Sequence, residues 1–215
     1  PAPKGEETPP IFNLVTPGSH CPHCNHRIRW YENVPVVSWA LLKGRCSGCK
    51  AAISKRYPII ELLTALVAGL CAWRFGYDPW LIFMLYGSFT LLALAVIDLD
   101  TTLLPDDLTY PLLWAGLLAA VLGISPVSLS DAVIGAMAGY LALWSLYWVF
   151  KLLTGKEGMG YGDFKLLAAL GAWLGWQYLP VVVLLSSVVG LVFAVSMMAS
   201  GSVKRDQGIP FGPYL

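Results

Sequence analysis

Polar and apolar positions divide the chain sharply. Residues 1–57 are polar, broken by proline and rich in Cys, His and Arg, whereas long apolar runs follow from Pro58 onward. A bilayer-spanning helix needs ~20 mostly apolar residues. The runs predict six such helices, at about 58–75, 79–98, 107–124, 131–153, 163–177 and 178–200. The fifth is short and interrupted by glycine, which predicts a tilted or partial span. Six apolar helices in succession cannot all be interior to a soluble bundle, so the pattern places them in a membrane.

Composition agrees. Hydrophobic residues make up 57% of the 215-residue chain and charged residues 13%, about half the ~25% of a soluble domain. The mean hydropathy is +0.64. Nine Trp, 10 Tyr and 21 Gly suit helices packed in a bilayer with aromatic side chains at its interfaces. Soluble cytosolic enzymes, disordered regulators and small disulfide scaffolds are excluded. The formal net charge of +1 gives no reason to expect a nucleic-acid partner. The expected fold is an all-α polytopic membrane protein of about six transmembrane helices with a small cytoplasmic four-cysteine zinc-binding domain. Three segments are expected: a polar stretch 1–20, a cytoplasmic zinc-knuckle domain 21–57 and a membrane-embedded domain 58–215. Residues 1–10 hold no apolar run, so no signal peptide is expected there, and the sequence reads as a processed or truncated piece.

Lys and Arg accumulate on the cytoplasmic side of membrane proteins. With residues 1–57 cytoplasmic and six helices threaded alternately, every cation except Arg74 falls on that side, from Lys4 and Arg27 to Lys204 and Arg205. The N-terminal segment is therefore expected in a reducing compartment.

That segment carries Cys21-Pro22-His23-Cys24 and Cys46-Ser47-Gly48-Cys49, a C-x2-C-x21-C-x2-C pattern. Two-residue spacers let both sulfurs of a knuckle face one ion, and four thiolates close a tetrahedral structural zinc site with no open position. The central spacer slightly exceeds the usual ~15–20. Gly44 and Gly48 are expected to supply the tight turns. Disulfides are the alternative, but they need an oxidising compartment. Cys21, Cys24, Cys46 and Cys49 are thus the expected metal ligands. His20, His23 and His26 are expected at the knuckle surface, with one able to stand in for a cysteine, and Cys71 is a packing residue.

Acidic residues near the apolar runs fall in two groups: Asp98, Asp100, Asp106 and Asp107, and Asp163 after Gly158-Met159-Gly160-Tyr161-Gly162. The threading puts both groups at cytoplasmic helix ends, where they can meet, and ionisable groups at membrane depth are functional candidates. Asp106, Asp107 and Asp131 suit helix N-termini as caps, and Asp163 could cap the fifth helix. Asp98 ends the second helix, where a negative charge opposes the macrodipole. Two carboxylates close enough to share a proton can act as general base on water and as acid toward a carbonyl oxygen or leaving amine. That is aspartic-peptidase chemistry, and carboxylate pairs also bind metals and relay protons. Gly160 and Gly162 would let the backbone approach the pair, leaving room for an extended peptide beside Asp163.

These residues together resemble the bifunctional prepilin leader peptidase/N-methyltransferases of bacteria, polytopic GXGD aspartic proteases. The matching stretches are the two knuckles, Lys55-Arg56-Tyr57-Pro58 leading into Glu61, Ile97-Asp98-Leu99-Asp100 with Leu104-Pro105-Asp106, Gly155 through Lys165, and Pro210-Phe211-Gly212-Pro213-Tyr214. The resemblance implies that Asp98 and Asp163 are the catalytic pair. It implies cleavage of type IV prepilins and type II secretion pseudopilins after Gly, on the cytoplasmic face of the inner membrane. It further implies methylation of the new N-terminus from S-adenosylmethionine, with no residues identified for that cofactor. The family carries a further helix on either side of this stretch, so the sequence reads as a portion of such a protein. Two other readings compete: a metal-dependent membrane transferase holding Mg²⁺ with Asp98, Asp100, Asp106 and Asp107, and a transporter relaying protons through these acids.

Overall fold

Helix ends follow the punctuation of the sequence. Asp78 caps the helix that starts at Pro79, its Oδ1 accepting from the Trp80 amide at 2.7 Å, and proline suits the first helical position because its missing N–H would be unpaired there anyway. Gly155 closes another helix in the left-handed conformation at φ +69°, donating its N–H to the Lys151 carbonyl, a cap geometry that glycine adopts without strain. The computed structural model describes residues 18–156, 158–199 and 212–215. Most of the 1–20 segment lies outside the described residues, as do Lys4, Glu157, Lys204, Arg205, Pro210 and Phe211.

Among the described residues seven α-helices are formed: α1 (Val37–Leu41), α2 (Arg56–Phe75), α3 (Pro79–Thr101), α4 (Asp106–Val121), α5 (Leu129–Thr154), α6 (Tyr161–Leu174) and α7 (Leu179–Ala199). Helices α2 to α7 correspond to the six apolar runs. Among the described residues four segments are long and apolar enough to cross a membrane: α2, α3, α5 and Trp176–Met198. Helices α4 and α6, with 16 and 14 residues, are shorter than the ~20 a span needs. The protein is an all-helical integral membrane protein. It divides into two compact units, residues 1–66 and 67–215, with the division inside α2.

In the first unit two knuckles repeat the same local structure. Cys21 N–H donates to the His26 carbonyl and Cys46 N–H to that of Ala51, each at 2.9 Å. Paired backbone bridges, His20 with Arg27 and Arg45 with Ala52, close the two loops. Asn25 and Lys50, each directly after the second cysteine of its knuckle, take the left-handed conformation at φ +54° and +62°. The expectation for Gly44 is met, at φ +66°. Gly48 differs: it is needed for space, since a Cβ there would stand 3.2 Å from His26 Cβ and 3.5 Å from Cys24 Sγ.

In the second unit α6 is the centre. Phe164, Leu167, Ala169 and Ala172 are fully buried, whereas α7 exposes a run of Val and Leu side chains. The short fifth run is covered by other helices of this unit, and a protein-covered helix need not match the bilayer thickness. Small residues allow this. A Cβ on Gly135 of α5 would collide with the Gly171 backbone of α6, and one on Gly139 would meet the Leu167 carbonyl at 2.5 Å. Close backbone approach of this kind is how membrane helices gain packing contact without a hydrophobic drive. Trp173 of α6 lies over Gly87 of α3 and Gly116 of α4, and its indole N–H donates to the Leu112 carbonyl at 2.8 Å.

Candidate active site

The loop between α3 and α4 meets the start of α6 at one end of this helical unit. Asp98 stands in the last turn of α3, and the residue just past that helix, Thr102, is left-handed and donates its N–H to the Asp98 carbonyl at 2.8 Å. Asp163 stands in the first turn of α6, third after Gly160, with its amide 3.3 Å from the Gly160 carbonyl. Gly160, not Asp163, is the residue that precedes the helix, and the Gly160 backbone is directed at the Asp163 carboxyl. Both carboxylates are buried, at 4% and 6% exposure, while Asp100, Asp106 and Asp107 are exposed. The two are near enough for the Asp98 charge to act on Asp163.

Asp98 is under-satisfied. The Gly212 backbone is directed at its carboxyl, yet Oδ2 is buried with no donor in hydrogen-bond geometry among the described residues. A buried carboxylate oxygen without a partner is costly, and such groups persist where chemistry or a ligand uses them. The surroundings are crowded by backbone. A Cβ at Gly212 would stand 2.6 Å from Asp98 Oδ2, and one at Gly162 would stand 2.8 Å from Leu104 Cβ. Leu104 therefore fills the space over Gly162, while at Gly160 the nearest atom to an added Cβ would be Asp163 Oδ2 at 3.7 Å. Gly212 was outside the expected site, although it lies in the Pro210-Phe211-Gly212-Pro213-Tyr214 stretch that shares in the family resemblance.

Asp106 has a partner that spacing could not supply. Lys165 Nζ, two residues past Asp163, binds both Asp106 oxygens at 2.6 and 2.8 Å and stands 5.0 Å from the Tyr110 ring centre. Pro105 and Ser128 are the residues preceding α4 and α5, so Asp106, Asp107 and Asp131 lie within first turns rather than at the caps. The Asp98, Asp100, Asp106 and Asp107 set does not converge on a common point among the described residues; the four cysteines do.

The sulfurs of Cys21, Cys24, Cys46 and Cys49 all lie within 4.8 Å of one another, with Cys21 to Cys49 at 3.8 Å and Cys24 to Cys46 at 4.0 Å. All four are free thiols. A disulfide needs ~2.05 Å between sulfurs, whereas a tetrahedron of Zn–S bonds of ~2.3 Å has edges of about 3.8 Å. The donor set and spacing therefore fit a four-thiolate metal ion. Backbone amides of His23 and Cys24 bring the Cys21 thiol down to about 7, and those of Cys49 and Gly48 likewise lower Cys46, which favours at these two positions the thiolate a metal requires; Cys24, against the pull of the His26 amide, is pushed up to about 11 by the Cys49 sulfur and burial. His26 is not gathered with the sulfurs; its Nε2 lies 3.0 Å from Ser47 Oγ and 3.3 Å from Glu32 Oε2. The Arg29 amide, then Ser47 and His26, hold Glu32 down to about 2.

Family comparison matches residues 85–195 to the type IV leader peptidase family and residues 5–75 to the bacterial peptidase A24 N-terminal domain. The chain belongs to the type IV leader peptidase family. The prepilin leader peptidase/N-methyltransferase of Aeromonas salmonicida strain A449 is 59% identical over 215 residues, covering all of this chain and 72% of that protein. The proteins of the same name from Stutzerimonas stutzeri and Pseudomonas aeruginosa are 57% and 56% identical over 204 residues, 95% of this chain and 70% of each relative. No solved structure matches. The carboxylates and the cysteines fall in different matched regions, Asp98 and Asp163 in the peptidase region and the cysteines in the N-terminal domain.

Proposed function

We propose that this family member is a prepilin leader peptidase/N-methyltransferase in which Asp98 and Asp163 carry out the cleavage. The supporting observation is the pair of buried carboxylates, on different helices yet brought to one end, with Asp98 Oδ2 left without a donor among the described residues. Burial and mutual repulsion favour one shared proton over two charges. The ionised member takes a proton from water as the oxygen attacks the scissile carbonyl carbon. The protonated member donates to the carbonyl oxygen. Collapse of the tetrahedral species passes a proton to the leaving amine and restores the pair. Gly160 leaves the backbone beside Asp163 without a side chain, which suits an extended substrate strand.

The substrates in this reading are type IV prepilins and type II secretion pseudopilins, cut after Gly on the cytoplasmic face of the inner membrane. The orientation follows from the charge distribution of the connecting segments. Cys21, Cys24, Cys46 and Cys49 hold a structural zinc ion that fixes the two knuckles. S-adenosylmethionine supplies the methyl group for the new N-terminus, and no residue is assigned to it. The domain assignment that accompanies this reading places the zinc knuckles at 21–57 and the peptidase at 58–215.

The test is cleavage of a Gly-Phe-containing prepilin in detergent by this chain and by Asp163→Asn. Cleavage should fall by about 10³-fold in the variant, with zinc content and thermal unfolding unchanged. Equal cleavage by both would remove Asp163 from the mechanism.

A further inference from the structure

The four-cysteine unit leaves apolar side chains uncovered around α1. Val37 and Leu41 stand one turn apart on that helix and are 53% and 78% exposed, and Trp30, in the 3-10 turn before it, is 83% exposed. The metal site uses none of them. In the same stretch the charge is one-sided: between residue 18 and α2 the described residues hold Arg27, Arg29, Lys43, Arg45, Lys50 and Lys55 against one acid, Glu32. That acid is already engaged by the Arg29 amide and His26.

The level of this surface relative to the membrane is fixed by α2. Glu61 Oε2 accepts the Val36 N–H at 2.7 Å, joining the start of α1 to the second turn of α2. Five residues of helix separate Arg56 from Glu61, about 7.5 Å. Helix α2 is long and apolar enough to cross a membrane, and Ile59, Leu62 and Leu66 around this level are exposed. Glu61 thus stands near where the helix enters hydrocarbon, and α1 starts at the same depth. Val36 is held for this bond at φ +62°, a conformation that β-branched residues rarely take. A free turn would relax from it.

We propose that α1 and the preceding turn lie on the bilayer surface that α2 enters, against anionic lipid. Trp30, Val37 and Leu41 sit in the interfacial layer, where indole and aliphatic side chains partition. The surrounding arginines and lysines rest on anionic headgroups, to which a juxtamembrane basic cluster is attracted. The zinc unit is then seated on the membrane at two points, by α2 and by this patch.

Photocrosslinking tests the seating in the full chain, zinc-loaded and in nanodiscs of phosphatidylglycerol and phosphatidylethanolamine. A benzophenone amino acid replaces Leu41, Trp30 or, as control, His23 at the exposed tip of the first knuckle. The expected result is lipid adducts at Leu41 and Trp30 several-fold above those at His23. The yield should drop several-fold when phosphatidylcholine replaces phosphatidylglycerol. Equal yield at His23, adducts to a second copy or to added prepilin in place of lipid, or indifference to phosphatidylglycerol would each overturn the proposal. Zinc content measured on every variant separates a lost fold from a lost contact. The outcome does not depend on cleavage activity.

Discussion

The four cysteines and the two aspartates are both sets of ionisable groups brought together, but the forces that assemble them differ. Each knuckle is built from neighbours in sequence, with its own backbone bonds and a left-handed residue after the second cysteine. Around the sulfurs the described residues give almost no apolar core, so a bound ion would take the place of one. The aspartates come from helices far apart in the chain, and they hold their place because α6 is surrounded by α3, α4 and α5 through glycine contacts. In the proposed reading one site depends on a ligand and the other on helix packing, so either should be able to fail while the other persists.

The largest expected effect is on the ligand-dependent side. Cys21→Ser should release the metal and unfold residues around the knuckles, since structural zinc contributes ~10 kcal/mol or more to such units. Metal content and hydrogen exchange report that loss, while the carboxylate pair should keep cutting prepilin in short assays. Immediate loss of cleavage on metal release would show that the two regions are not independent.

Gly171→Leu is the converse test. The added side chain cannot share the space occupied by the Gly135 backbone, and α5 and α6 must separate, destabilising the helical unit by about 3 kcal/mol. Thermal unfolding in detergent should fall, cleavage should fall with it, and zinc should remain bound. Normal unfolding with lost zinc would reverse the comparison.

Within the acidic site the Lys165–Asp106 pair is a smaller lever. Lys165→Met should free the loop that carries Leu104 over Gly162 and lower kcat about tenfold through misplacement of the pair. Lys165→Arg should restore most of it, because the salt bridge can re-form. An unchanged rate in the methionine variant would show that Leu104 holds the loop unaided.

Glu32→Gln should be the mildest. Glu32 is held down to about 2 in the folded unit, below its ordinary ~4.3, so its stabilisation is full at neutral pH and fades as pH falls toward 2. A modest rise in metal-release rate at pH 7 is expected, and no rise would confine Glu32 to ordering the Arg29 turn.

Much of this organisation was legible in residue order. Apolar runs of span length, the paired C-x2-C motifs and the placing of Asp98 and Asp163 near helix ends all depend on neighbours, and local spacing records them. The knuckle turns show the limit even at short range, because a left-handed residue can be Asn25 or Lys50 when the ring of hydrogen bonds around it demands the conformation. A glycine nearby need not be the one that turns.

Only the tertiary structure decided what surrounds each element. Composition marks α6 as a short, interrupted span, but its burial depends on which helices cover it. Gly212 becomes part of the acidic site because its backbone lies against Asp98, and Asp106 is tied to Lys165 across the gap between two helices. Such contacts join residues distant in the chain, where no local period or propensity leaves a mark. Sequence alone determined that this chain spans a membrane and carries a four-thiolate pattern and candidate acids. Packing of small residues between helices decided which two acids are buried together, because only close backbone approach brings those helix ends to one place.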